Sequence, residues 1–312
     1  MSGRYHGRRT APSQRGKMIW LFSVTALLAL AAAAIFFCQR ANGSGQPPAT
    51  VSSSSGSVNA PLPEQTVQLE PDISDEPASP PYDFSQPVPQ GEEVDNSYFE
   101  DAAFVGDSRT DGFMLFSGID AGENLSSNGL SIFKLAERKA LTIDGEKRTL
   151  LEALALKEYG KVYISLGINE LGYNNDKGYY ENYCAAIDEI RKLQPNAVIY
   201  IQGLIPVNEE QAKASTGHNY LKNDHLLVYN DLMQQIAEEK QVAFLDLYSE
   251  FADENGGLPP NASRDGVHLT KEYCKQWLAY LKTHTADFDT LYPDGPPSAE
   301  AAATTDDRSE QG

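Results

Sequence analysis

Between residues 96 and 293, short apolar runs alternate with longer amphipathic stretches, and that alternation leaves few folds open. Residues 102–105, 161–166, 197–203 and 242–247 are mostly apolar over lengths suited to buried strands. Residues 150–159, 179–193, 220–240 and 270–283 place apolar side chains three and four apart, the period of a helix face. Strands separated by helices of that length are joined by crossovers, which demand a parallel sheet covered on both faces. The expected fold class is therefore α/β: a three-layer α/β/α sandwich around a central parallel sheet. One local exception is residues 139–149, where Asp144-Gly145 between β-prone flanks predicts a hairpin turn.

Outside this region the chain is built differently. Residues 1–17 carry five basic residues and no acid, and Met18 to Cys38 then run 21 residues without a formal charge. At about 1.5 Å per residue such a helix covers about 30 Å, the thickness of a bilayer's hydrocarbon core. The run exceeds the apolar region of an ordinary cleaved signal and ends in Ile35-Phe36-Phe37-Cys38. Residues 18–38 are thus expected to be a transmembrane signal anchor, with residues 1–17 as a basic cytoplasmic N-terminus and the bulk of the chain outside. Residues 39–95 are acidic, rich in Ser and Pro, and contain Arg40 as their only basic residue. They read as a disordered stalk, with residues 294–312 as a similar tail.

Charge excludes one class of partner. Beyond position 40 there are 44 acidic residues against 19 basic ones, a net charge of −25. A surface of that sign repels a polyanion, so no nucleic acid is expected. The three cysteines, Cys38, Cys184 and Cys274, have no zinc-site spacing, and neither a metal nor another cofactor is expected. Cys184 and Cys274 fall in two predicted helices, where they are either a disulfide or two buried thiols.

In an open parallel sheet, ligands bind beyond the carboxyl ends of the strands. Gly106-Asp107-Ser108 follows the first run, Gly167-Ile168-Asn169-Glu170 follows the second, and Asp265-Gly266-Val267-His268 precedes the last helix. Acyl transfer from an ester needs a nucleophile, a base, a group that orients the base, and donors for the oxyanion. Ser108, His268 and Asp265 are candidates for the first three roles, and backbone N–H groups and Asn169 for the fourth. Each motif alone has a plainer reading as a turn or a helix cap. His6, His218, His225 and His284 stand in no comparable motif.

These three motifs, in this order, resemble the SGNH hydrolase superfamily, also called GDSL esterases and lipases, over residues 96–290. The resemblance implies a flavodoxin-like fold, Ser108 as nucleophile, and Asp265 and His268 as its partners. It also implies an oxyanion hole formed by Ser108, Gly129 and Asn169, Gly129 being the glycine of Ser126-Ser127-Asn128-Gly129. The sequence departs from the family pattern at Arg109, where leucine is usual, and at Glu170, where aspartate is usual. Arg109 favours acetylesterase-like branches over lipases. With Asn128 and Glu170 it is a candidate for substrate contact, or it pairs with an internal carboxylate such as Glu170.

The implied activity is that of a membrane-anchored extracellular serine esterase. It would act on small acyl esters, O-acetyl above all, of envelope or extracellular carbohydrate. The alternatives are an O-acyltransferase that passes the acyl-serine's acyl group to a sugar, and a non-catalytic glycan-binding module.

Overall fold

In the computed structural model, which describes residues 81–297, five strands form one wholly parallel sheet. The chain order begins with β1 (Ala102–Gly106), α1 (Ser108–Phe116), β2 (Glu123–Ser126), β3 (Leu141–Ile143), β4 (Glu146–Arg148) and α2 (Leu150–Leu154). It continues with β5 (Lys161–Ser165), α3 (Asp176–Leu193), β6 (Val198–Gln202), α4 (Glu209–Thr216) and α5 (Asn223–Lys240). It closes with β7 (Ala243–Leu245), α6 (Leu247–Phe251), α7 (Lys271–Thr283) and α8 (Phe288–Leu291). The sheet order is β2-β1-β5-β6-β7, and β3 and β4 form the expected hairpin on their own. Its turn puts Asp144 at φ 52° and Gly145 at φ 82°, the left-handed pair that a tight hairpin requires.

Strand alternation divides the interior between the two faces. Ala103, Val105, Val162, Ile164, Ile199 and Ile201 face α3 and α5, packing on Tyr183, Ile187, Tyr229 and Met233. Phe104, Tyr163, Tyr200 and Leu245 face the other way, onto Phe113, Trp277 and Leu281. Register sets Phe104, Tyr163 and Tyr200 side by side on β1, β5 and β6. Their rings stack with centroids 5.0 and 4.4 Å apart, a ladder of large rings across the middle of the sheet. Cys184 packs with the first cluster and Cys274 with the second, so the sheet separates them and both are free thiols.

The domain begins earlier than the sequence indicates. Residues 82–94, expected to be the end of the stalk, lie along the domain: the Val88 amide donates to the Phe244 carbonyl at 2.8 Å and the Val94 amide to the Lys282 carbonyl at 2.9 Å. Val88 is buried, and the segment covers part of β7, an edge strand that otherwise leaves backbone groups unpaired. One apolar anchor in a polar stretch carries no periodic signal. The expected anchor at 18–38, most of the stalk and most of the tail lie outside the described residues. Among the described residues no helix is long and apolar enough to cross a membrane.

Candidate active site

The three motifs converge at the carboxyl end of the sheet. Asp107 is the N-cap of α1, its Oδ1 accepting from the Arg109 amide at 2.9 Å, so helix formation starts at Ser108 itself. Helix and strand meet tightly there: a side chain at Gly106 would collide with the Thr110 hydroxyl. The half-buried Ser108 is therefore fixed at the first helical position directly beyond β1.

Ser108 Oγ lies 2.9 Å from His268 Nε2, and His268 Nδ1 lies 2.7 Å from Asp265 Oδ2. The other carboxylate oxygen, Asp265 Oδ1, accepts from the amides of Val267 and His268 at 2.9 and 2.8 Å and from the Ser263 hydroxyl at 3.1 Å. Burial acts to raise the Asp265 pKa, but the hydrogen bonds from the His268 ring and the two amides outweigh it and hold the carboxyl well below its usual range. Asp265 is thus an anion at neutral pH, fixed to present one oxygen to the imidazole. Gly266 makes this turn possible, with φ 82° and its α-carbon pressed so close to the start of α4 that a side chain would strike the Ala212 amide. Its carbonyl accepts from the Asn208 amide at 2.9 Å. Thus α4, a polar helix absent from the sequence expectation, supports the histidine loop.

Arg109 and Glu170 sit elsewhere than a substrate-contacting role requires. Arg109 is buried, and its guanidinium donates to the carbonyls of Val267, Ile205 and Pro206 at 2.9, 2.6 and 3.1 Å. It fastens the histidine loop to the segment after β6 instead of facing a ligand or Glu170. Burial brings its pKa down to about 10, against the pull of Asp107 and Asp265, so it stays charged at neutral pH. Glu170 is fully buried, and its Oε1 accepts from the Ile132 amide at 2.6 Å. Burial pushes its pKa up to about 7, with hydrogen bonds from Ser131 and Ile132 acting in opposition. Both charged residues are internal because they satisfy backbone groups of the loops that build the site.

The oxyanion side is assembled by similar clamps. Asn169 Nδ2 donates to the Leu130 carbonyl at 2.9 Å and to Asp107 Oδ2 at 3.2 Å. The Ser127 amide donates to the Gly106 carbonyl at 3.1 Å, which brings the turn containing Gly129 to the end of β1. Arg138, which no sequence signal marks, donates to the carbonyls of Gly129 and Asn128 at 2.5 and 3.2 Å. Asn128 itself is exposed, held only through that carbonyl. Among the described residues the amides of Ser108 and Gly129 donate to no protein acceptor. His225, by contrast, is engaged by Asp176 and the Leu171 carbonyl, and among the described residues neither of its ring nitrogens is bonded to a hydroxyl.

A hydroxyl bonded to an imidazole, an imidazole bonded to an ionised carboxylate, and free amides at a helix start and in a nearby turn are the parts of a serine-dependent carboxylic ester hydrolase. The family of GDSL-like lipases and acylhydrolases matches residues 104–273, more than half of the chain, and the chain belongs to that family, within the SGNH hydrolase superfamily. No curated protein matches it. Among solved structures it is similar to a protein from Streptococcus pneumonia described as a platelet activating factor. That match has 22% identity, a TM-score of 0.49, and coverage of 62% of this chain and 85% of the other. A GDSL-like lipase from Bacteroides thetaiotaomicron matches at 17% identity and a TM-score of 0.42, over 59% of this chain and 90% of the other. A peptidoglycan O-acetylesterase matches at 19% identity and a TM-score of 0.39, over 51% of this chain and 45% of the other.

Proposed function

We propose that this acyl-ester hydrolase removes small acyl groups, acetyl above all, from carbohydrate outside the cell, with Ser108 as nucleophile, His268 as base and Asp265 as its orienter. Attack by Ser108 Oγ on the ester carbonyl passes the hydroxyl proton to His268 Nε2. The developing oxyanion takes hydrogen bonds from the Ser108 and Gly129 amides and the Asn169 side chain. His268 then protonates the departing sugar oxygen, and water repeats the sequence on the acyl-serine.

The observation that carries the substrate size is the openness of the site. The side chain of His268 is 51% exposed and that of Asp265 39%. The hollow beside them, about 510 Å³, has cationic Arg264 and Lys271 in its wall. Phe116 and Leu269 give that wall an apolar surface on which an acyl group can rest, but a long acyl chain gains affinity by burying its methylenes, at about 0.8 kcal/mol each, and a site this exposed leaves many of them wet. A hydrated, bulky alcohol bearing a short acyl group suits it better. The outward location rests on the charge pattern of residues 1–38, which supports a single-pass cell-membrane anchor with the catalytic domain outside.

The test is acetate release by the full-length chain from O-acetylated xylan, with p-nitrophenyl acetate, butyrate and octanoate as length controls and Ser108→Ala beside the wild type. Release that is lost in the variant, with acetate preferred over octanoate, supports the reading. A preference for octanoate, or no release from the glycan while the simple ester turns over, would overturn it.

A further inference from the structure

Two hollows contain residues of the candidate site, and each has cationic side chains in its wall. The first, about 510 Å³, contains His268 and extends to Phe116, Arg264 and Lys271. The second, about 560 Å³, contains Gly129 and extends to Phe133, Lys134 and Tyr173. His268, in the first, is bonded to Ser108, and the turn containing Gly129, in the second, is bonded to the end of β1, the strand that Ser108 follows.

Each presents a large exposed ring beside positive charge. Phe116 is 49% exposed and Tyr173 63%. Arg264, Lys271 and Lys134 form no ion pair among the described residues, so no internal acid neutralises them. The only carboxylate in either wall is Asp265, which His268 already engages.

Composition does not produce this. Beyond residue 40 acids outnumber bases by 44 to 19, and a hollow of similar size away from the site is lined by Asp95, Glu100 and Asp120. The two hollows that hold residues of the site carry positive charge where that one carries acid. A cleft lined by one sign concentrates ligands of the other sign, and planar or apolar side chains offer a broad surface for the C–H faces of sugar rings.

We propose that the two hollows are subsites of one groove that binds an anionic carbohydrate chain, with rings resting on Phe116 and Tyr173 and their acidic groups facing Arg264, Lys271 and Lys134. The inference rests on the glycan-esterase reading for its substrate, yet the binding it describes requires no turnover.

The two can therefore be tested apart. Full-length Ser108→Ala chain would be titrated with oligomers of polygalacturonate, an anionic glycan, and with dextran, a neutral one. The polyanion is expected to bind at least about tenfold more tightly and to lose that advantage in high salt. Arg264→Gln and Lys134→Gln should each weaken it about fivefold, while Lys147→Gln, at an exposed cation outside both hollows, leaves it unchanged. Equal affinity for the two polymers, no binding of either, or an equal loss in Lys147→Gln would overturn the proposal. Absence of ester hydrolysis by the wild-type chain with this binding intact would remove the esterase reading and leave the groove.

Discussion

The side-chain amide of Asn169 donates to Asp107 Oδ2 at 3.2 Å, tying the loop after β5 to the residue immediately before the serine. The same nitrogen holds the Leu130 carbonyl at 2.9 Å, so one amide joins the ends of three strands. In the proposed mechanism Asn169 exchanges the longer of these bonds for a charge-assisted one to the oxyanion formed at Ser108. Asn169→Ala is expected to lower kcat by about 10²-fold with KM little changed, the behaviour of a donor used in the transition state. Steady-state hydrolysis of p-nitrophenyl acetate measures it. A loss smaller than about threefold would reduce Asn169 to a loop fastener.

Asp265 divides its two oxygens between the imidazole and the backbone, and this makes Asp265→Asn informative. The amide oxygen can keep the Val267 and His268 amides, so the loop should survive. The NH2 group then faces His268 Nδ1, forces that nitrogen to accept, and moves the ring proton to Nε2, where it blocks proton transfer from Ser108. Activity is expected to fall by about 10³- to 10⁴-fold at unchanged thermal stability. Ser108→Ala should fall at least as far. Comparable stability with nearly full activity in Asp265→Asn would show that the imidazole needs no orienting group.

The central strands and their helices could be read because their apolar patterns are dictated by burial on both faces. β2 could not: Glu123, Asn124 and Ser126 are not buried, and only Leu125 reports the core, because this is an edge strand. α4 escaped for the same reason, with Ala212 its only buried residue. In the site, Ser108, Asp265 and His268 come together as their motifs indicate. Arg109 and Glu170 are different, since a charged side chain beside a nucleophile suggests contact with substrate until the structure shows both buried against backbone groups. Which carbonyl or amide a buried charge will satisfy depends on loop packing that no local sequence pattern encodes.

Arg109 supplies a prediction that separates structure from recognition. Its guanidinium serves three carbonyls on two segments, a fork that a single ammonium cannot reproduce. Each deserted buried carbonyl costs about 1–3 kcal/mol, so Arg109→Ala should lower stability by about 3 kcal/mol or more, and Arg109→Lys by less. Since the histidine loop loosens in Arg109→Lys, kcat/KM should fall for every ester by a similar factor. Parallel assays on a neutral and an anionic ester read this directly. A loss confined to the anionic ester would restore Arg109 to the substrate.

Glu170 makes stability depend on pH in a direction opposite to most carboxylates. Burial raises its pKa from 4.5 to about 7, so the folded protein holds this proton over a range in which the unfolded chain has released it. The stabilisation from that proton is complete below pH 4.5 and is lost as pH rises through 7. The gap corresponds to about 3 kcal/mol at full development. Asp107, raised to about 6 chiefly by burial, works in the same direction over a lower window and leaves a remaining slope. Glu170→Gln keeps an oxygen for the Ile132 amide and has no proton to lose. Relative to wild type its stability should therefore rise by up to about 3 kcal/mol between pH 5 and pH 8, measured by urea denaturation at each pH. Parallel stability curves for the two proteins across that range would mean that Glu170 is ionised in the fold throughout.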